Sequence, residues 1–241
     1  MKILVTRPEP DASRLAQSLK AAGHDPVVEP LMSAEYLEGP EDFSNALKSA
    51  QAIAFTSANG VRALARCHKE RHLPVFAVGD ATAAAARQEG FGIVHVAAGD
   101  VDHLAADIAA RLDPGAGSIV HIAGSVVAGD LQGALAARGF EVDRHVLYAM
   151  TASASLSPDV IAQITHASLE AVLIYSPRSG RILADLINKA GLREACLAIT
   201  CYCLSANVAA ALAPLPFANC LVAATPDEDA LMALLEAGPL G

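Results

Sequence analysis

Two stretches of this 241-residue chain read alike. Residues 3–32, ILVTRPEPDASRLAQSLKAAGHDPVVEPLM, and residues 119–150, IVHIAGSVVAGDLQGALAARGFEVDRHVLYAM, each pass from an aliphatic strand through a polar turn into a helical pattern and out to another strand. Strand, helix and strand in that order make a βαβ unit, which builds a parallel sheet covered on both faces. Further matches follow in the same order. Residues 53–64 (IAFTSANGVRAL) answer 173–183 (LIYSPRSGRIL), pairing Ser57 with Ser176 and Gly60 with Ser179 or Gly180. Residues 77–86 (AVGDATAAAA) answer 202–211 (YCLSANVAAA), and 94–108 (VHVAAGDVDHLAADI) answer 220–235 (CLVAATPDEDALMALL). An ordered repeat at this scale implies two similar α/β halves of about 120 residues each, and hence two flavodoxin-like domains with a cleft between them.

Periodicity fills in the elements. Strands are predicted near residues 2–6, 26–30, 52–56, 75–78, 93–97, 118–123, 142–148, 171–176, 197–203 and 219–223. Helices are predicted near 11–22, 41–48, 59–70, 80–89, 101–112, 125–138, 159–166, 178–190, 205–213 and 227–236, with Ser57, Asp80, Ser125, Ser205 and Asp227 at their openings.

Composition narrows the function. Seventeen basic against twenty-six acidic residues give a net charge of −9, leaving no basic surface for a phosphodiester backbone. With Trp 0, Tyr 4 and Phe 6 there is little for bases to stack on, so nucleic acid is not an expected partner. About a fifth of the chain is alanine, which suits helices lying close on a sheet. The most apolar long stretch, residues 208–225, is broken by Pro214, Pro216 and Asn219, so no membrane span is expected. The apolar run at 3–5 is too short for a signal segment. Five cysteines, an odd number in a chain this large, point to reduced thiols in the cytoplasm.

Ligands of open parallel sheets sit outside the carboxyl ends of the strands, where loops feed helix N-termini. The polar turns fall there: Thr6-Arg7-Pro8, Thr56-Ser57-Ala58-Asn59-Gly60, Gly79-Asp80-Ala81-Thr82, Ala123-Gly124-Ser125, Ser176-Pro177-Arg178-Ser179-Gly180 and Ser205-Ala206-Asn207. One such turn is simply a capped helix, whereas several on one side of two sheets could hold carboxylates on their backbone N–H groups.

Nucleotide motifs fail. The glycines at 124 and 129 have P-loop spacing, but Asp130 stands where the phosphate-binding Lys is needed, and no G-x-G-x-x-G follows the first strand. Cys67, His68 and His72 offer a C-H-x₃-H cluster with both His on one helical face, but a solvated, Arg-rich helix end is the commoner outcome of such a pattern. Cys201 and Cys203 share one face of a strand and read as core thiols. Without C-x-x-C or G-x-S-x-G there is no redox pair of that type and no hydrolase elbow. No cofactor is expected, which suits chemistry a substrate performs itself once correctly folded.

In order, ILVTRP with G…V…PL, then FTSANGV, VG.ATA, G..V....LY, SPRSG and LS..VAAAL resemble the uroporphyrinogen-III synthase family over essentially the whole chain. The resemblance implies a cofactor-independent lyase of tetrapyrrole (haem) biosynthesis. It would close hydroxymethylbilane to uroporphyrinogen III through a spiro intermediate, with loss of water and inversion of ring D. It also implies a cytoplasmic monomer, with the upstream hydroxymethylbilane synthase as a candidate partner. By the same resemblance the first units are exchanged, so that residues 1–33 with 153–241 form one domain and 37–147 the other, joined by linker strands at 28–37 and 142–152. The family's strand tyrosine falls on Tyr148, as donor to the departing hydroxyl or as a half-buried linker residue. Substrate contacts carry over to Thr6, Arg7, Ser57, Asn59, Gly60, Gly79, Thr82, Ala123, Gly124, Ser176, Ser179, Gly180, Ser205 and Asn207. Where one half has Gly79 the other has Leu204, which restricts backbone approach to a ligand there. A two-lobed binding protein without catalysis remains the other reading.

Overall fold

The computed structural model describes residues 1–127 and 129–238. Its elements run β1 (Lys2–Val5), α1 (Asp11–Ala21), β2 (Asp25–Val28), β3 (Met32–Tyr36), α2 (Phe43–Ser49), β4 (Ala50–Phe55), α3 (Ala58–Cys67), β5 (Val75–Ala77) and α4 (Asp80–Gln88). They continue with β6 (Val94–Val96), α5 (Val101–Arg111), β7 (Ser118–Gly124), α6 (Leu131–Ala136), β8 (Val142–Ala152) and α7 (Pro158–Thr165). Last come β9 (Ala171–Ile174), α8 (Pro177–Lys189), β10 (Thr200–Cys203), α9 (Ala206–Leu212), β11 (Asn219–Val222) and α10 (Glu228–Ala237).

The chain divides into one unit of Met1–Ser33 with Thr151–Gly241 and another of Ala34–Met150. The first unit holds a sheet in the order β11-β10-β9-β1-β2, with every neighbouring pair parallel. Counting its strands along the chain gives 2-1-3-4-5, the flavodoxin-like order. The sheet of the second unit runs β3-β8-β7-β4-β5-β6, parallel from β8 to β6. Reading β7, β8, β4, β5 and β6 as first to fifth reproduces the same order, with β3 added at the β8 edge.

Apolar residues explain the layering. α1 turns Ala12, Leu15, Ala16 and Leu19 inward at i, i+3, i+4 and i+7 against Ile3, Val5 and Leu173. Each buried leucine contributes about 1.5–3 kcal/mol. On the other face of that sheet Val172, Ile174, Cys201 and Cys203 pack with Leu183, Ile187, Val208 and Leu212 of α8 and α9. In the second unit Ala52 and Ala54 of β4 are small enough for α5 to lay Leu104, Ala105 and Ile108 close on the strand. Phe55, Val120 and Ile122 face α3 and α4 on the opposite side.

Several expected boundaries move. The helix expected at 125–138 is only Leu131–Ala136, so Ser125 lies well before its start and is not its cap. The Ser125 N–H donates to the Tyr148 carbonyl at 2.9 Å, while Gly129 takes a φ of +83° and the Asp130 carboxylate caps Gly133 N–H at 2.8 Å. The strand expected from 197 starts at Thr200, because Glu194–Ala198 forms a 3-10 turn. β2 and β3 are separate strands divided at Glu29 to Leu31. Asp80 lies inside α4 with Gly79 at its cap, and Ser205 occupies the α9 cap without a side-chain capping bond. Thr6-Arg7-Pro8 does not open a helix directly: α1 begins at Asp11, and the Glu9 carboxylate accepts Ser13 N–H at 3.1 Å.

Candidate active site

In the second unit the end of β4 delivers Ser57 to the N-cap of α3, where its hydroxyl oxygen accepts Asn59 N–H at 3.2 Å. The same side chain lies near enough to the Tyr148 phenol of β8 to lower its pKa. Tyr148 is 6% exposed, and its ring lies against Gly124, the last residue of β7. A Cβ at 124 would stand 2.8 Å from Cζ of that ring, so only glycine fits. The β7/β8 register shifts between Ala123 and Gly124, which brings Gly124 opposite Tyr148. Ala123 is fully buried within β7. Burial raises the Tyr148 pKa, the Ser57 side chain draws it back, and the neighbouring Tyr36 phenol adds a further rise. The group stays a phenol at neutral pH and is a proton donor.

Neighbouring residues complete this cluster. Asn59 Nδ2 donates to Met150 Sδ at 3.4 Å, and its Oδ1 accepts from Arg62 at 3.0 Å. Gly60 faces inward, where a Cβ would meet the Ile122 carbonyl at 3.0 Å, so its bareness lets α3 lie close on β7. Gly79 caps α4 without a side-chain capping bond. Thr82 is 5% exposed on the inner side of that helix.

Behind Ser57, on the α5 side of the sheet, lies a group the sequence did not bring to notice. His121 of β7 is 3% exposed, with Nε2 3.4 Å from Thr56 Oγ1 and Nδ1 without a hydrogen-bond partner among the described residues. Burial first, and Arg144 second, lower its pKa to about 4, so the ring is neutral at pH 7. Arg144 donates to the Gly124 carbonyl at 3.0 Å. A histidine within an aliphatic strand is the one signal that could have found it.

In the first unit the homologous turns are more self-satisfied. Thr6 is 1% exposed and its hydroxyl donates to the Leu173 carbonyl at 2.8 Å, tying β1 to β9. Arg7 lies 4.5 Å over the Tyr175 ring and is paired with Glu228 and, at 3.3 Å, Asp11. Arg14 also reaches Glu228 at 2.9 Å, so this corner carries its own carboxylates. Ser176 caps α8, accepting Ser179 N–H at 3.1 Å, and the two hydroxyls are 2.9 Å apart. Gly180 packs α8 on α9, with a Cβ there 3.2 Å from Ala211 Cβ. Ser205 and the exposed Asn207 stand at the start of α9. Among the described residues, no three His, Cys, Asp or Glu side chains are placed to hold a metal ion, and no helix is long and apolar enough to cross a membrane.

Two parallel-sheet α/β units with polar strand-to-helix turns at the strand ends define the class. The same fold occurs in the uroporphyrinogen-III synthetase of Helicobacter pylori, with a TM-score of 0.64 and 14% identity over 98% of both chains. It occurs too in a mutant uroporphyrinogen III synthase of Thermus thermophilus, with a TM-score of 0.52 and 16% identity over 98% of this chain and 96% of that one. No curated protein matches the sequence. The family model described as uroporphyrinogen-III synthase HemD matches residues 13–233. The chain belongs to that family.

Proposed function

We propose that this chain is a cofactor-independent lyase that closes hydroxymethylbilane to uroporphyrinogen III. The family match across residues 13–233 carries this reading. In the proposed reaction the pyrrole nitrogen next to the hydroxymethyl group pushes out the terminal oxygen, which takes the Tyr148 proton and leaves as water. The azafulvene so formed is attacked by the substituted carbon of ring D. The resulting spiro intermediate fragments and recloses with ring D inverted, and a proton released on rearomatisation restores the phenol. A donor held neutral by burial supports this assignment, because its proton is present throughout the neutral range.

Substrate carboxylates would seat on the first turn of α4 beyond Gly79, and at the Ser57, Ser176 and Ser205 turns. Asn59, Thr82, Ser179 and Asn207 border those turns, and Thr6, Gly60, Ala123, Gly124 and Gly180 hold them in place. Arg7 would act there only as part of its pairing with Glu228 and Asp11. All five cysteines are free thiols, which supports a reducing, cytoplasmic setting. We further propose that the protein works as a monomer on bilane supplied by hydroxymethylbilane synthase.

The test is incubation with hydroxymethylbilane, oxidation of the product and separation of porphyrin isomers. Isomer III should dominate. If isomer I dominates at saturating protein, the chain binds without catalysing and the lyase reading fails.

A further inference from the structure

Three of the five cysteines converge on one edge of the first unit. Cys201 and Cys203 lie two apart on β10, so their side chains share a face, and both are fully buried in the core beneath α8 and α9. Cys220 lies on β11, the edge strand, in direct register with Cys201. Cys220 itself is exposed. One exposed cysteine thus stands on the strand next to two shielded ones, opposite Cys201. The proposed lyase chemistry uses none of them.

We propose that Cys220, with Cys201 and Cys203, forms a peroxide-responsive thiol site in which Cys220 is oxidised first and Cys201, its register partner, closes a cross-strand disulfide. The thiolate is the reactive form. The neighbouring Cys201 and Cys203 thiols lower the Cys220 pKa, while burial first and Cys220 second raise that of Cys201. In the first step the Cys220 sulfur attacks a hydroperoxide oxygen. The O–O bond breaks, the sulfur becomes a sulfenic acid, and hydrogen peroxide leaves one water. In the second step the Cys201 sulfur attacks the sulfenic sulfur, an S–S bond forms, and the hydroxyl departs as water with the Cys201 proton. Two thiols and one peroxide become one disulfide and two waters. Cys203 is in register with Val222 and stays outside the new bond. Its strand runs on into Leu204 and Ser205, so the bridge would fix the base of one candidate carboxylate turn.

Cys67 is the internal control: it too is exposed, but burial of its sulfur is the largest influence on its pKa and raises it. The folded, reduced protein is treated with hydrogen peroxide, and sulfenic acid is trapped with dimedone at short times. Cys220 should label roughly tenfold faster than Cys67. Without dimedone, cleavage after Phe217 should leave the Cys201 and Cys220 peptides joined until a reductant is added. In Cys201→Ser the sulfenic acid should persist at Cys220, whereas Cys203→Ser should still close the bridge. Equal labelling of Cys67 and Cys220 overturns the proposal, as does a Cys220 that passes to sulfinic acid unlinked in the unmodified chain. Both of those readouts use the native sequence, so they stand even if a serine variant fails to fold.

Discussion

The Tyr148 ring rests on the bare α-carbon of Gly124, with Cζ only 2.8 Å from where a Cβ would stand. Gly124→Ala must therefore push the ring away from Ser57 or bend β7. A destabilisation of about 1–3 kcal/mol is expected, as for other overpacked sites. In a Tyr148→Ala background that cost should largely vanish, since the clash is gone. Urea unfolding of the single and double variants checks the coupling; additive costs would detach Gly124 from the ring.

Tyr148→Phe keeps the ring and removes the proton. kcat should fall by about tenfold or more with KM little changed, as for a group that acts in the transition state. Steady-state kinetics on hydroxymethylbilane decide this, and unchanged kcat removes Tyr148 from the mechanism.

Ser57→Ala has two separable effects. Loss of the α3 cap should cost about 1 kcal/mol. Loss of the hydroxyl that draws the Tyr148 pKa down should move it further up, visible as a later phenolate absorbance rise in an alkaline titration.

His121 gives the protein an acid-sensitive element. Its folded pKa of about 4 lies below the ordinary 6.5, so the unfolded chain binds the extra proton between those values. Its contribution is fully present above about pH 6.5 and is lost as pH falls towards 4. The loss should reach up to about 3 kcal/mol, and His121→Gln should flatten stability across that window. Urea midpoints at pH 7 and pH 5 in both proteins test it.

Salt should not slow substrate capture. At a net charge of −9 the protein repels a polycarboxylate at long range, and Arg7 is matched by Glu228 and Asp11. Raising ionic strength from about 0.01 to about 0.15 M shortens the Debye length from about 30 to about 8 Å and screens the repulsion. Stopped-flow association should hold steady or quicken, and a steep fall would mean that exposed arginines steer the substrate.

The parallel α/β class was legible because both sheets are built from short aliphatic runs such as Ile3 to Val5 and Val172 to Ile174, separated by alanine-rich helices. Alanine and leucine make 125–138 look helical throughout, although Gly129-Asp130 already spells the late start and good cap that the structure has. Site detail was harder. A glycine that seats a helix, as Gly60 and Gly180 do, looks in sequence like one that admits a ligand. Arg7 reads as an available cation because Glu228 is far away along the chain. The Tyr148 and Gly124 pairing depends on a register shift between β7 and β8 that no local pattern announces.

The split composition of the first unit sets an order of events during synthesis. Residues 34–150 form one contiguous unit that can close as soon as it clears the ribosome. β1 has by then only β2 beside it, because its other neighbour, β9, is made later. Two strands alone are marginal. Residues 1–33, translated before the second unit, are thus among the last to be secured, and a nascent chain stalled before residue 171 would expose Ile3, Val5, Leu15 and Leu19 to any chaperone waiting at the tunnel exit.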